Sequence, residues 1–197
     1  RKLARPTSQV GEQAAQAAVS DLQRARFRLG QEQLRLKAGQ VSEAQLAPLR
    51  TNMERFQGQP TGHAYLRSYA TALAGLGRTA EAESLLQRQL AILPAGERTE
   101  ADQLRLLLGL IAGENSGAGR QAFRQLLRDA QRPETQQIAL LLLVRAAQKN
   151  PNERAQLIKD LGDLISLGQH PLIDELYLAR AQAYLDEDQC RAVATDE

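Results

Sequence analysis

Two histidines, one cysteine, a glycine-rich stretch and a short acidic run are the features of this chain whose residue types could do chemistry. A metalloprotease-type zinc site needs two His one helical turn apart, so that both imidazoles reach one metal. His63 and His170 stand far apart, each at the start of an expected helix, where a surface or capping role fits. Cys190 is the only cysteine, which leaves no internal disulfide and no second thiolate for a metal, and it reads as a small buried residue. The stretch Gly113-Glu114-Asn115-Ser116-Gly117-Ala118-Gly119 lacks a Gly-Lys-Ser/Thr ending and follows a helical pattern, so it reads as a flexible inter-helix turn and not as a phosphate cradle. Asp186, Glu187 and Asp188 are consecutive, without the alternate spacing of a calcium loop, and read as first-turn acids of a helix. There is no Gly-x-Ser-x-Gly elbow. These readings assign no catalytic, cofactor-binding or metal-binding residue, and the chain reads as a non-enzyme without a cofactor.

The elements that carry these residues are helical by composition. Of 197 residues, 43% are hydrophobic and only 4% aromatic, with Leu and Ala supplying most of the apolar content. Scarce β-branched residues favour helix over strand. The 25 basic and 23 acidic residues leave a net charge of +2, which gives no general attraction to nucleic acid or anionic membrane. Arg24, Arg26, Arg28 and Arg35 form the one local basic cluster, read as a solvated helix face. No apolar run approaches the ~18 residues that a spanning helix needs. The longest, Ile138 to Val144, has the length of a buried helix segment. The chain opens on Arg1 with its only Met at Met53, the expectation for a chain that is processed or cut from something longer.

Punctuation divides the sequence into helix pairs. An opening helix is expected from about Gly11 to Ala38, and Ser42 with Gln45 reads as a capping box before a shorter helix that ends near Phe56. Pairs follow at Gly62–Leu76 with Thr79–Leu93, at Thr99–Ala112 with Gly119–Ala130, and at Pro133–Gln148 with a partner capped by Asn150-Pro151 that runs to Leu167. His170-Pro171 opens a helix to Leu185, and Asp186 would begin one more. First helices thus start near positions 62, 99, 133 and 171, in steps of roughly 34 to 38 residues, the period of a helical solenoid.

The segment His63 to Pro94 resembles one tetratricopeptide repeat. Leu66, Ala70 and Leu73 stand at that family's large, small and large places on its first helix, Gly77 at its turn, Ala82 and Leu86 on its second helix, and Pro94 at its closing proline. Small side chains at Ala70 and Ala82 would let two helices approach closely. Gly109 with Ala122, and Ala181 with Tyr184 and Ala192, match more loosely, and the resemblance covers about two-thirds of the chain. It implies an all-α fold, a right-handed α-solenoid of stacked antiparallel helix pairs. Residues 1–60 would be N-terminal helices, a degenerate repeat or cap; residues 61–197 would be the array, about three and a half repeats with the last truncated.

In that family the first helices line an inner groove. By this resemblance Arg67, Thr71, Gln103, Leu106, Leu110, Gln136, Glu175 and Gln182 would face a protein or peptide partner. Chaperone-tail binding is not implied, because Arg67 and Thr71 stand where it would use Lys and Asn. The function expected is a protein-interaction scaffold, with a homo-oligomer as a further candidate and with no nucleic-acid partner. The Arg-, Ala- and Gln-rich, Lys-poor style is that of a GC-rich bacterium, where arrays of this family serve envelope assembly or secretion. A periplasmic or outer-membrane-associated location follows from that resemblance. The alternative is a regulatory or oligomerising segment of a larger cytoplasmic enzyme or transcription regulator.

Overall fold

Helix forms over most of the chain, and among the described residues there is no strand. The computed structural model describes the backbone of residues 7–195 and the side chains of residues 11–188. Cys190 and Ala192 therefore lie outside the described side chains. Two compact units divide the chain, Arg1–Arg78 and Thr79–Glu197.

The first unit contains α1 (Thr7–Lys37), a 3-10 turn (Glu43–Gln45), α2 (Leu46–Arg55) and α3 (Pro60–Gly75). The Gln45 side chain accepts the Ser42 amide at 2.8 Å, so the expected capping box opens this segment through the 3-10 turn. Pro48 is tolerated in the first turn of α2, where its missing N–H costs no helical bond. Helix α3 packs on both α1 and α2. The buried Tyr65 hydroxyl donates to the Ala25 carbonyl of α1, and burial raises the phenol's pKa above its ordinary value. Arg26 Nε donates to Thr61 Oγ1 at 3.3 Å, and Arg55 pairs with Asp21, which ties α1 to both other helices.

The second unit contains α4 (Thr79–Ile92), α5 (Arg98–Ala112), α6 (Gly117–Asp129), α7 (Pro133–Lys149), α8 (Pro151–Ser166) and α9 (Ile173–Thr195). Each helix packs against the next in the chain, and α5 also touches α7, as α7 touches α9. Helix starts follow the sequence signals. Asn150 Oδ1 accepts the amides of Asn152 and Glu153 at 3.0 and 3.4 Å, and Pro151 occupies the first turn of α8. Ser116 Oγ accepts the Gly119 amide at 2.9 Å and donates to the Gly113 carbonyl at 3.0 Å, so side-chain bonds order the glycine-rich turn. A Cβ at Gly119 would stand 1.9 Å from that same carbonyl, which is why only glycine fits there.

The core of this unit joins Phe123, Leu126 and Leu127 of α6, Ala139, Leu140, Leu143 and Ala147 of α7, Leu157, Leu161 and Leu164 of α8, and Leu176 of α9. Each large side chain so buried contributes roughly 1.5–3 kcal/mol relative to exposure. On α4, Ala82 and Leu86 are fully buried. One expectation is corrected at the C-terminal side: Asp186 begins no new helix, because α9 runs unbroken from Ile173 to Thr195. No Gly or Pro separates Leu185 from Asp186, so nothing interrupts the backbone hydrogen bonds there.

Candidate functional site

The residues that the sequence singles out as ligand-facing fall in both units. In the first unit, on α3, Arg67 is half-buried and engaged, and Thr71 Oγ1 donates to the Arg67 carbonyl at 2.8 Å. Both side chains already have protein partners. In the second unit, Gln103, Leu110, Glu175 and Gln182 are exposed, and Gln182 Nε2 donates to Asp186 Oδ1 at 2.8 Å. Leu106 is half-buried and packs against the core.

Gln136 does not face outward, which corrects the sequence assignment. It is only 3% exposed, and its Nε2 donates to the Leu127 carbonyl at 3.3 Å. The register of α7 explains this. Ala139, Leu140, Leu142, Leu143, Ala146 and Ala147 are buried on two adjoining faces, and Gln136 lies one turn before Leu140 on one of them. Through its middle turns, the residues that α7 does present to solvent are Gln137, Ile138, Leu141 and Arg145.

The Leu127 carbonyl collects a second donor. His170 Nδ1 accepts the Leu172 amide at 3.0 Å, so the proton resides on Nε2, which donates to Leu127 O at 2.7 Å. The ring therefore caps the approach to α9 and fastens it to the end of α6. His63, by contrast, is buried in the first turn of α3.

Ion pairs join α6 to α8. Arg124 bridges Glu153 at 2.7 Å and Asp160 at 3.0 Å, Arg120 reaches Glu153 at 2.9 Å, and Gln156 donates to Asp160 at 2.8 Å. Beside this strut lies a cavity of about 230 Å³ floored by Leu127, Leu143 and Leu164, with Arg128 and Asp163 at its walls. A second, of about 330 Å³, lies among Leu90, Leu93, Ala101, Asp102, Arg105 and Asp129. Sites that enclose a small ligand span roughly 300–1,000 Å³ and are mostly apolar with a few convergent polar groups. The first cavity falls below that size, and the second is lined by charged as well as apolar side chains. Among the described residues, no three His, Cys, Asp or Glu side chains converge as metal ligands. No helix there is long and apolar enough to cross a membrane.

No family model, curated protein or solved structure matches this chain.

What the second unit offers instead is an unequal division of its surface. Helices α5, α7 and α9, which touch in succession, expose Leu110, Ile138, Leu141 and Leu178, and of these Leu141 is 60% and Leu178 71% exposed. Helices α6 and α8 expose Gln121, Gln125, Arg128, Lys159 and Asp163 and carry the ion-pair strut. Ile138, Leu141 and Leu178 were not identified from sequence. For Ile138 and Leu141 the signal was hidden because Ile138 to Val144 is apolar on every side of the helix, so composition alone cannot tell which leucine faces out.

Proposed function

We propose that this chain is a helical-repeat scaffold of the tetratricopeptide type, and that its second unit docks an apolar segment of a partner protein on α5 and α7. The observation that carries this reading is the recurrence of exposed large aliphatic side chains, Leu110, Ile138 and Leu141, on alternate helices whose neighbours present polar residues. Exposed apolar clusters rimmed by polar groups mark interaction surfaces. The contact of α5 with α7 and of α7 with α9 supports a stack of helix pairs, since first helices of successive pairs meet in such a stack. Gln103 and Arg145 would supply hydrogen bonds at the rim, and Arg145 is already oriented by Glu114 at 3.4 Å.

Panning a displayed peptide library against the chain tests this. The selected peptides should carry large apolar residues and should bind Leu141→Glu at least about tenfold more weakly, while Gln125→Glu on the polar side binds them normally. A tenfold loss corresponds to ~1.4 kcal/mol, the order expected for one well-buried side chain at an interface. Equal loss in both variants, or no selected peptide, would remove the docking face from α5 and α7.

A further inference from the structure

Helix α9 has two apolar faces. Leu176 and Ala183, with Leu172 just before the helix, are buried on the side that meets α7 and α8. On the opposite side Tyr177, Leu178, Ala181, Tyr184 and Leu185 form a continuous exposed stripe, at helical spacings of one, four, seven and eight. Asp174 and Asp188 lie on the same line, one at each end, about 21 Å apart along the axis at 1.5 Å per residue. Between residues 173 and 188 this helix carries five acids and one base, Arg180. Its free face is therefore mainly apolar in the middle, where the Arg180 guanidinium lies 5.4 Å from the centre of the Tyr177 ring, and negative at both ends.

The outward face of α1 has the complementary pattern. Phe27 and Leu34, 69% and 68% exposed, stand seven residues apart, the same interval that separates the pair Tyr177 and Leu178 from the pair Tyr184 and Leu185. Exposed Arg24 and Lys37 bracket them, about 20 Å apart along the axis. Matched seven-residue intervals let side chains on one helix seat between those of another.

We infer that α1 of one copy of this chain docks on the α9 stripe of a second copy, with Phe27 and Leu34 against the two aromatic–leucine pairs and the bases against Asp174 and Asp188. Pairing of α9 with α9 of another copy about Ala181 is disfavoured, because it sets Asp174 against Asp188 and brings like charges together. A contact between two different faces is heterologous: it closes on itself where the rotation between copies permits and otherwise continues as an open chain. One helix on one helix buries little area, so the association is weak and reversible. It uses neither α5 nor α7 and stands apart from the docking reading.

Sedimentation of the intact chain across concentration tests this. The average mass should rise above that of one copy with concentration, and fall as salt screens the acidic ends. Leu178→Glu and Phe27→Glu, both at exposed positions, should each remain monomeric, with helicity unchanged. Mixed in equal amounts they should form a species of two copies and no larger, because each retains the face that the other lost. Asp188→Lys should weaken assembly about tenfold, and Lys37→Asp in the same chain should restore part of it. Leu141→Glu should assemble normally. A chain that stays monomeric, a Phe27→Glu variant that still assembles, or a mixture that fails to pair would overturn the inference.

Discussion

At Gly109 the backbone of α5 lies against the Phe123 ring of α6, and substituting it sets two effects of opposite sign against each other. In an exposed helix interior, Gly→Ala stabilises by about 1 kcal/mol, because glycine loses more backbone entropy on folding. At Gly109 the added Cβ would stand 2.5 Å from Cε1 and 2.8 Å from Cζ of Phe123, where ordinary contacts are 3.4 Å or more. Phe123 is fully buried and cannot swing away without displacing its core neighbours. Overpacking of this kind costs about 1–3 kcal/mol, and here it falls on a ring rather than on a flexible chain end. The clash should win, and Gly109→Ala should lose a net of up to ~2 kcal/mol, or up to roughly 8 °C in Tm for a domain near this size. Phe123→Leu removes the ring atoms in question at its own cost. In that background Gly109→Ala should reverse sign and stabilise by up to ~1 kcal/mol. Urea titration of the four proteins of this double-mutant cycle, followed by circular dichroism, gives both numbers. If Gly109→Ala stabilises the otherwise unaltered chain, the close approach of α5 to α6 is wrong. If the sign does not reverse with Phe123→Leu, the ring is not its cause.

Two further substitutions probe joints of the second unit. His170→Asn keeps a short acceptor for the Leu172 amide but cannot reach Leu127, so it should cost about 1 kcal/mol, and His170→Ala should cost ~1–3 kcal/mol in thermal unfolding. Equal melting of all three proteins would mean that the ring fastens nothing. Ala82→Leu places three extra carbons at a fully buried position and should destabilise by roughly 1–3 kcal/mol, whereas an unchanged midpoint would show that Ala82 has room around it.

Helix boundaries were legible because their signals are local. Asn150-Pro151, Pro133 and Ser116 act within one turn of where they stand, and α5 to α8 begin within two residues of the expected positions. The extent of α9 was less legible, because a run of acids suits a helix interior as well as its first turn. Orientation about the helix axis was harder still. Gln136 looks like a surface residue by type, yet the register of α7 buries it and satisfies its amide nitrogen at Leu127. Leu141 looks like core by type, yet six other apolar residues occupy the sides of α7 that other helices cover. Side-chain type reports hydrophobicity; which face is covered depends on neighbours some thirty residues away, which one helix's sequence does not encode. The same holds for Gly109, whose fit against Phe123 joins two helices across a turn.

In the second unit, packing passes from each helix to its next one or two neighbours along the chain. A fold wired this way yields to tension differently from one whose ends are clamped together. Drawn apart at Thr79 and Leu185, it has no sheet among the described residues to shear, so load falls on one helix interface at a time. Release of α7 and α8, from Pro133 to Ser166, would add about 34 residues of slack, roughly 120 Å at full extension. The Leu127 carbonyl, which receives both Gln136 and His170, would act as the catch on that step, because the bonds that hold it must part before α7 and the approach to α9 can leave α6. A unit wired this way would lengthen by steps, one helix interface after another, and not all at once.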